Sequence, residues 1–228
     1  MKKIPDQSID LIITSPPYED ISGAGYKALN KDILFFKLYS EFLDSIFNSY
    51  HRILKSTGQI FFNIKSKTHN KKLKTPHWIE FIEGFQRFCL KSYIIWKYAG
   101  SFDSSNSRLH LDYEIIYHLS KTDDIYLNDK YNDKDPLTSV WYIPHNIKNR
   151  RHPTQMPLKV VDRILNIASK KGDVILDNFA GSGTTCVAAK KRGLHYIGIE
   201  LNPEYYEMMK ERLKKYDNLE QFIENKTI

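Results

Sequence analysis

Two cysteines are all the sequence holds, Cys89 and Cys186, far apart and neither with a second Cys or a His at metal-ligand spacing. That excludes a zinc ribbon or finger and a disulfide framework, so no metal site is expected. A reducing compartment is the simplest setting for such a chain. No apolar run approaches the roughly 18 residues that span a bilayer. The opening "MKKIPDQ" has no apolar stretch of the kind a secretory signal needs. Internal repeats are absent as well. The chain reads as soluble and cytoplasmic.

What is present is a core and a positive charge. Of 228 residues, 41% are hydrophobic and 13% aromatic, which excludes a disordered chain and suits one domain with at most a small insertion. The formal net charge of +7 favours a polyanionic partner over a neutral one, although a lysine-rich solvated surface gives the same total.

Periodicity predicts alternating strands and helices. Strands are expected at 9–14, 59–64, 93–98, 113–119, 174–177 and 195–200. Helices are expected at 33–54, 77–90, 157–169, after the glycines near 183, and from 203 to 216. Gly58 reads as a stop signal beyond the first helix, and Pro157 as a first-turn proline. Residues 19–32, 65–74 and 100–112 read as loops. Alternation of this kind implies an α/β fold with a mostly parallel twisted sheet and helices on both faces. The polar interval 120–156, of weak periodicity, is the place for an inserted recognition segment. The expected organisation is therefore 1–119, 120–156 and 157–228, with the first and last forming one domain.

"VILD" followed by "NFAGSGTT" and a helix puts a ligand at a helix N-terminus. Gly181 and Gly183 let backbone approach it, and the turn amides are expected to be open donors. Glu200, at the end of the next strand, is placed to accept from both hydroxyls of a ribose. The third glycine of a dinucleotide fingerprint falls at Cys186, and no lysine follows the second glycine as in a P-loop. A nucleoside without phosphates fits this turn better, and S-adenosylmethionine is such a ligand.

"TSPPY" (Thr14 to Tyr18) together with "FAGSGTT" (Phe179 to Thr185) resembles the amino-methylating DNA methyltransferases, which modify N4 of cytosine or N6 of adenine. The family's motifs are [SND]PP[YFW] and FxGxG. Here the first precedes the second, the circularly permuted order of the family's β group. "HPTQMPLKVVDRIL", "IPDQSIDLIITSPPY" and "YIGIELNPEYYE" are similar to family text, so the resemblance runs along nearly the whole chain. It implies a Rossmann-like S-adenosylmethionine-dependent fold and double-stranded DNA as partner. A cognate restriction endonuclease and a second copy of the chain are further candidate partners.

The chemistry suits the residue types. An exocyclic amino nitrogen is a poor nucleophile because its lone pair is delocalised into the ring. The Ser15 hydroxyl and the Pro16 carbonyl can bind its two hydrogens and turn the lone pair toward a methyl group. Pro16 and Pro17 hold that clamp rigid, and Tyr18 stacks on a base flipped from the duplex. Without the glycine motif, Pro-Pro-Tyr would read as a plain loop. The resemblance assigns Asp177, Phe179, Gly181, Gly183, Thr184 and Glu200 to the cofactor, Phe179 by stacking or by simple packing. Phosphate contacts fall to Lys65, Lys67, Lys71, Lys72 and Lys74 and to Lys148, Arg150 and Arg151. C5-cytosine chemistry needs a proline-cysteine nucleophile, and neither cysteine follows a proline.

Serine as first motif residue favours cytosine, whereas "HPTQ" resembles adenine enzymes, with Met156 in place of their lysine. Relatives carry a further Gly-Asp strand ahead of "IPDQSID", outside this sequence, so the adenine pocket is expected to differ at that edge. The rival readings are an RNA or protein-glutamine methyltransferase, a nicotinamide-dependent oxidoreductase and an inactive DNA-binding module. "TSPPY" has no role in the oxidoreductase, and Ser15 and Glu200 argue against the others.

Overall fold

The apolar runs around Ile12, Phe61 and Ile175 lie side by side in one sheet. The computed structural model describes residues 1–17, 33–69, 72–74, 76–98, 111–128, 137–145 and 155–217; for 33–38, 67–69 and 72–74 it describes the backbone alone. In chain order the elements are β1 (Ile9–Thr14), α1 (Ile33–Ile53), β2 (Leu54–Ile64), β3 (Lys67–His69), β4 (Lys72–Lys74), a 3₁₀ turn (Pro76–Phe81), α2 (Glu83–Gln86), β5 (Cys89–Lys97) and β6 (Tyr113–Ser120). Then follow β7 (Val140–Tyr142), α3 (Leu158–Ala168), β8 (Val174–Asp177), α4 (Thr184–Lys191), β9 (His195–Gly198) and α5 (Pro203–Lys214).

Seven strands run in the order β7-β5-β6-β2-β1-β8-β9. Only β6 opposes its neighbours. The centre of the sheet is buried on both faces, which is why β1, β2 and β8 carry nearly continuous apolar runs. Ile12, Phe62 and Leu176 face Leu43, Phe47 and Tyr50 of α1 and Phe85 of α2. Leu11, Ile13, Phe61 and Ile175 face Val160, Val161 and Ile164 of α3 and Ala188 and Ala189 of α4. From the centre, β1 leads through α1 to β2 on one side, and β8 leads through α4 to β9 on the other. The carboxyl ends of β1 and β8 therefore flank a topological switch point, where open α/β sheets bind ligands.

Four local expectations change. Gly58 is no helix stop: α1 ends at Ile53 and β2 starts at Leu54. Leu54 pairs with Ile9 but Gln59 with Leu11, so the strand is irregular there, and a Cβ on Gly58 would lie 2.6 Å from Leu54 Cγ. The helix expected over 77–90 shrinks to the 3₁₀ turn and α2, because Cys89–Lys97 pairs along β6, and tertiary pairing overrides local periodicity. The lysine run 65–74 is not a plain loop but holds the antiparallel pair β3-β4. Pro157 stands at the N-cap of α3 with extended backbone, one residue before the first turn. Within 120–156, β7 joins the sheet in parallel with β5, and Trp141 and Ile143 enter the core.

Candidate active site

The ends of β1 and β8 are tied together. Thr14 Oγ1 donates to Asp177 Oδ1 at 2.8 Å, and the Phe179 N–H donates to the same oxygen at 3.1 Å. Burial, the largest influence, pushes the Asp177 carboxyl up to about 6 from an ordinary 3.8, and the Glu200 charge adds to it. Hydrogen bonds from Thr185, Thr14 and the Phe179 N–H pull it back down. An acid raised by folding weakens the fold when it is charged. The cost is present above pH 6 and disappears as pH falls through the interval from about 6 to 3.8. Asp177→Asn keeps an oxygen for Thr14 and Phe179 and removes the charge. It is expected to raise unfolding free energy on the order of 3 kcal/mol at pH 7 and to change it little at pH 4, as urea denaturation at the two pH values will show.

The glycine turn follows. Gly181 and Gly183 both have positive φ, 50° and 80°. A Cβ on Gly183 would lie 2.4 Å from Met209 Cγ, so this glycine is required by the packing of α5 as well as by its backbone. The two amides are not open donors as the sequence led us to expect. The Gly181 N–H donates to Glu200 Oε2 at 2.7 Å, and the Gly183 N–H donates to the Ala180 carbonyl at 2.7 Å. Glu200 Oε1 accepts from the Asn202 N–H at 2.8 Å. Glu200 thus joins the turn to the chain after β9, two residues beyond that strand. With both glycine amides engaged within the protein, this turn suits a nucleoside better than a phosphate.

Other side chains brace the turn. Arg212 of α5 donates to the Ser182 carbonyl at 2.6 Å, to Ser182 Oγ at 2.8 Å and to Thr184 Oγ1 at 3.4 Å. The Thr184 hydroxyl is therefore oriented by Arg212. Tyr50 of α1 donates to Asn178 Oδ1 at 2.5 Å. Phe179 packs on Phe42 with ring centroids 6.0 Å apart.

Beyond β1, Pro16 is buried and Ser15 and Pro17 are half-buried. Tyr39 of α1 donates to the Pro17 carbonyl at 2.7 Å. On the α3 side of the sheet, Ser15 Oγ accepts from Asn63 Nδ2 at a long 3.4 Å, and the same amide donates to Glu114 Oε2 at 2.8 Å. His145 Nε2 lies 4.0 Å from Glu114 Oε1, with its ring 4.6 Å from that of Trp96 and 4.5 Å from that of Tyr98. A polar row from β1 through β2 and β6 to the chain after β7 therefore lies beside the serine.

The strand ends bring Ser15, Pro16 and Pro17 to the same sheet edge as Asp177, Phe179, Gly181, Gly183, Thr184 and Glu200. Lys65 follows β2 at this edge and is exposed, its ammonium 6.0 Å from the Tyr98 ring centroid. Lys67, Lys72 and Lys74 are described by backbone alone, on β3 and β4. Tyr18, Lys71, Lys148, Arg150 and Arg151 lie outside the described residues. Asn63, Glu114, His145, Tyr39 and Tyr50 escaped the sequence reading. The one available signal was a polar residue at the end of an apolar strand, as in "QIFFNI" and "YEIIYHL".

Neither cysteine is set up as a nucleophile: Cys186 is buried, which pushes its thiol up, and Cys89 is exposed on β5, a strand remote in sheet order from β1. Among the described residues no group of His, Cys, Asp and Glu is arranged to hold a metal ion, and no helix is long and apolar enough to cross a membrane.

A model of the N6/N4 DNA methylase family matches residues 9–211. The chain is 31% identical over 247 residues to DNA adenine methyltransferase YhdJ of Escherichia coli K12, covering 93% of this chain and 79% of that protein. It is 32% identical over 231 residues to type II methyltransferase M.HpaI of Haemophilus parainfluenzae, covering 93% of this chain and 70% of that one. Among solved structures, the cytosine-N4-specific PvuII DNA methyltransferase superposes with a TM-score of 0.78 at 18% identity, over 95% of this chain and 87% of that chain. M1.HpyAVI in complex with SAM gives 0.68 at 24% identity, over 90% and 89%.

Proposed function

This chain belongs to the N6/N4 DNA methylase family, and we propose that it moves a methyl group from S-adenosylmethionine to N4 of cytosine in double-stranded DNA. The observation that carries the reading is the Thr14–Asp177 bond of 2.8 Å, which fixes the exit of β1, and with it Ser15, beside the strand that leads into the glycine turn.

The donor set fits the cofactor. Glu200, beside the glycine turn through its bond to the Gly181 N–H, is the acceptor we assign to the ribose diol, and the glycine amides, engaged within the protein, form no phosphate cradle. Asp177, Phe179, Gly181, Gly183, Thr184 and Glu200 would line that site. When bound, S-adenosylmethionine supplies an electrophilic methyl on a sulfonium. The chain's own part is to hold the acceptor. Ser15 Oγ and the Pro16 carbonyl accept the two amino hydrogens, and Asn63, donating to Ser15, keeps a lone pair of that oxygen turned to the base. Tyr18 covers the face of the flipped base. Orientation rather than proton abstraction supplies the rate, and the proton displaced from the methylated nitrogen passes to solvent after the transfer.

The hairpin β3-β4 leaves the sheet directly after β2, at the edge that holds Ser15. We assign its lysines, with Lys65, Lys148, Arg150 and Arg151, to phosphate contacts, which position the enzyme without specifying sequence. Target reading falls to the parts of 120–156 outside β7, whose Trp141 is committed to the core. A cognate endonuclease and a homodimer stay within the proposal on family likeness.

N6 of adenine is the second reading. It is favoured by the 31% identity to an adenine methyltransferase and by the "HPTQ" segment. Duplex DNA of mixed sequence, synthesised with N4-methylcytosine throughout or with N6-methyladenine throughout, separates the two. Uptake of labelled methyl is expected to vanish on the first and persist on the second. The reverse pattern overturns cytosine in favour of adenine.

A further inference from the structure

Helix α1 touches both halves of the site, and does so along one stripe. Residues 39, 42, 43 and 50 follow helical spacing, so they share a face. Tyr39 donates to the Pro17 carbonyl at 2.7 Å, Phe42 packs on Phe179, and Tyr50 donates to Asn178 Oδ1 at 2.5 Å. One rigid element therefore holds the serine-proline clamp at one end and the glycine turn at the other.

The clamp is stiff inside. Proline fixes φ at Pro16 and Pro17, and a residue before proline is kept extended, which restricts Ser15 and Pro16. What stays adjustable is the orientation of the whole tripeptide relative to the glycine turn. At its near end the tripeptide continues β1, anchored by Thr14. At its far end, the tether among the described residues is the Tyr39 hydroxyl.

We propose that Tyr39 is a positioning residue for methyl transfer, its hydroxyl aiming the Pro16 carbonyl by holding Pro17, with α1 as the strut that sets the clamp at a fixed distance from the cofactor turn. The inference rests on the amino-methyltransferase reading above. Tyr39 does not touch the reacting atoms and acts through the dipeptide. Its ring is independently secured, with centroids 5.9 Å from Trp78 and 6.2 Å from Phe42, so Tyr39→Phe removes the hydroxyl and leaves the packing.

The test is single-turnover transfer of labelled methyl to duplex DNA with both S-adenosylmethionine and DNA saturating. Tyr39→Phe is expected to slow the transfer by about 10- to 100-fold, the range in which small misplacement acts. Its dissociation constant for S-adenosylmethionine should stay within about twofold, and its thermal midpoint within about 5 °C, as suits one lost hydrogen bond. Tyr50→Phe is the counterpart. It should weaken S-adenosylmethionine binding by about 5- to 10-fold and affect the saturated transfer rate less than Tyr39→Phe. A folded Tyr39→Phe whose saturated rate is within twofold of the unaltered protein overturns the assignment, as does a loss that follows only cofactor affinity. An unaltered protein that methylates no amino group sinks the functional reading itself, so the two failures are distinguishable.

Discussion

Ser15→Ala is expected to lower the saturated rate of methyl transfer to DNA by about 100- to 1000-fold, the cost of removing one preorganised hydrogen-bonding group that acts in a transition state. The amino nitrogen of a base becomes nucleophilic only when both of its hydrogens are held off the ring plane. Pro16 can hold one. Without Ser15 Oγ the other has no acceptor from this motif, and the lone pair stays in the ring. Asn63 would still donate to Glu114, so the neighbouring row keeps its strongest bond. Affinity for S-adenosylmethionine should change by less than about threefold, because Ser15 is not part of the glycine turn. Single-turnover rates with labelled cofactor, beside equilibrium binding of the same cofactor, measure both. A loss confined to the rate is what an interaction made only in the transition state gives. A loss confined to KM would place Ser15 in ground-state binding instead.

Glu200→Ala is expected to act on the other half, and on cofactor affinity where Ser15→Ala acts on rate. The carboxylate accepts from two backbone amides, those of Gly181 and Asn202, and is the proposed acceptor for the ribose hydroxyls. Hydrogen bonds to a charged group contribute roughly 1.5–3 kcal/mol each. Losing the ribose contact and the order of the turn together should weaken S-adenosylmethionine binding by about 100-fold or more. Two part-buried N–H groups also lose their partner, so the thermal midpoint should fall. Glu200→Gln keeps an acceptor for one amide but not the charge, and an intermediate affinity is expected. Isothermal titration of the cofactor into the three proteins reads the series. Equal affinity in all three would show that Glu200 only stitches the backbone and that the ribose is held elsewhere.

Much of the architecture is legible because it depends on near-neighbour pattern. The strand-turn-helix at residues 174–191 is marked by an apolar run, two glycines and a change of period. The end of β1 is marked by two prolines that cannot continue a strand. Other features are decided by partners far along the chain. β5 captures residues 89 and 90 from a helical-looking segment because β6, over twenty positions away, offers a ladder along Cys89–Lys97. The requirement at Gly183 comes from Met209 as well as from its backbone, and the glycine looks the same in sequence whether a ligand or a helix crowds it.

The polar row beside Ser15 is hidden for the same reason. Asn63 and Glu114 are 51 positions apart, and each alone is an isolated polar residue in an apolar strand. Only the antiparallel pairing of β2 with β6 brings them together, with Asn63 opposite Ile116 and Glu114 one alternation further on. Tyr39 and Tyr50 are concealed differently. Both sit in the apolar stripe of α1 and read as core, and their rings are core. Only the hydroxyls reach the Pro17 carbonyl and Asn178.

The central claim, an amino group of DNA as methyl acceptor, is tested most directly by the product. Duplex DNA of mixed sequence, incubated with the protein and methyl-labelled S-adenosylmethionine and then digested to nucleosides, should carry the label in N4-methylcytosine. Label in 5-methylcytosine, or in neither N4-methylcytosine nor N6-methyladenine, would contradict the account.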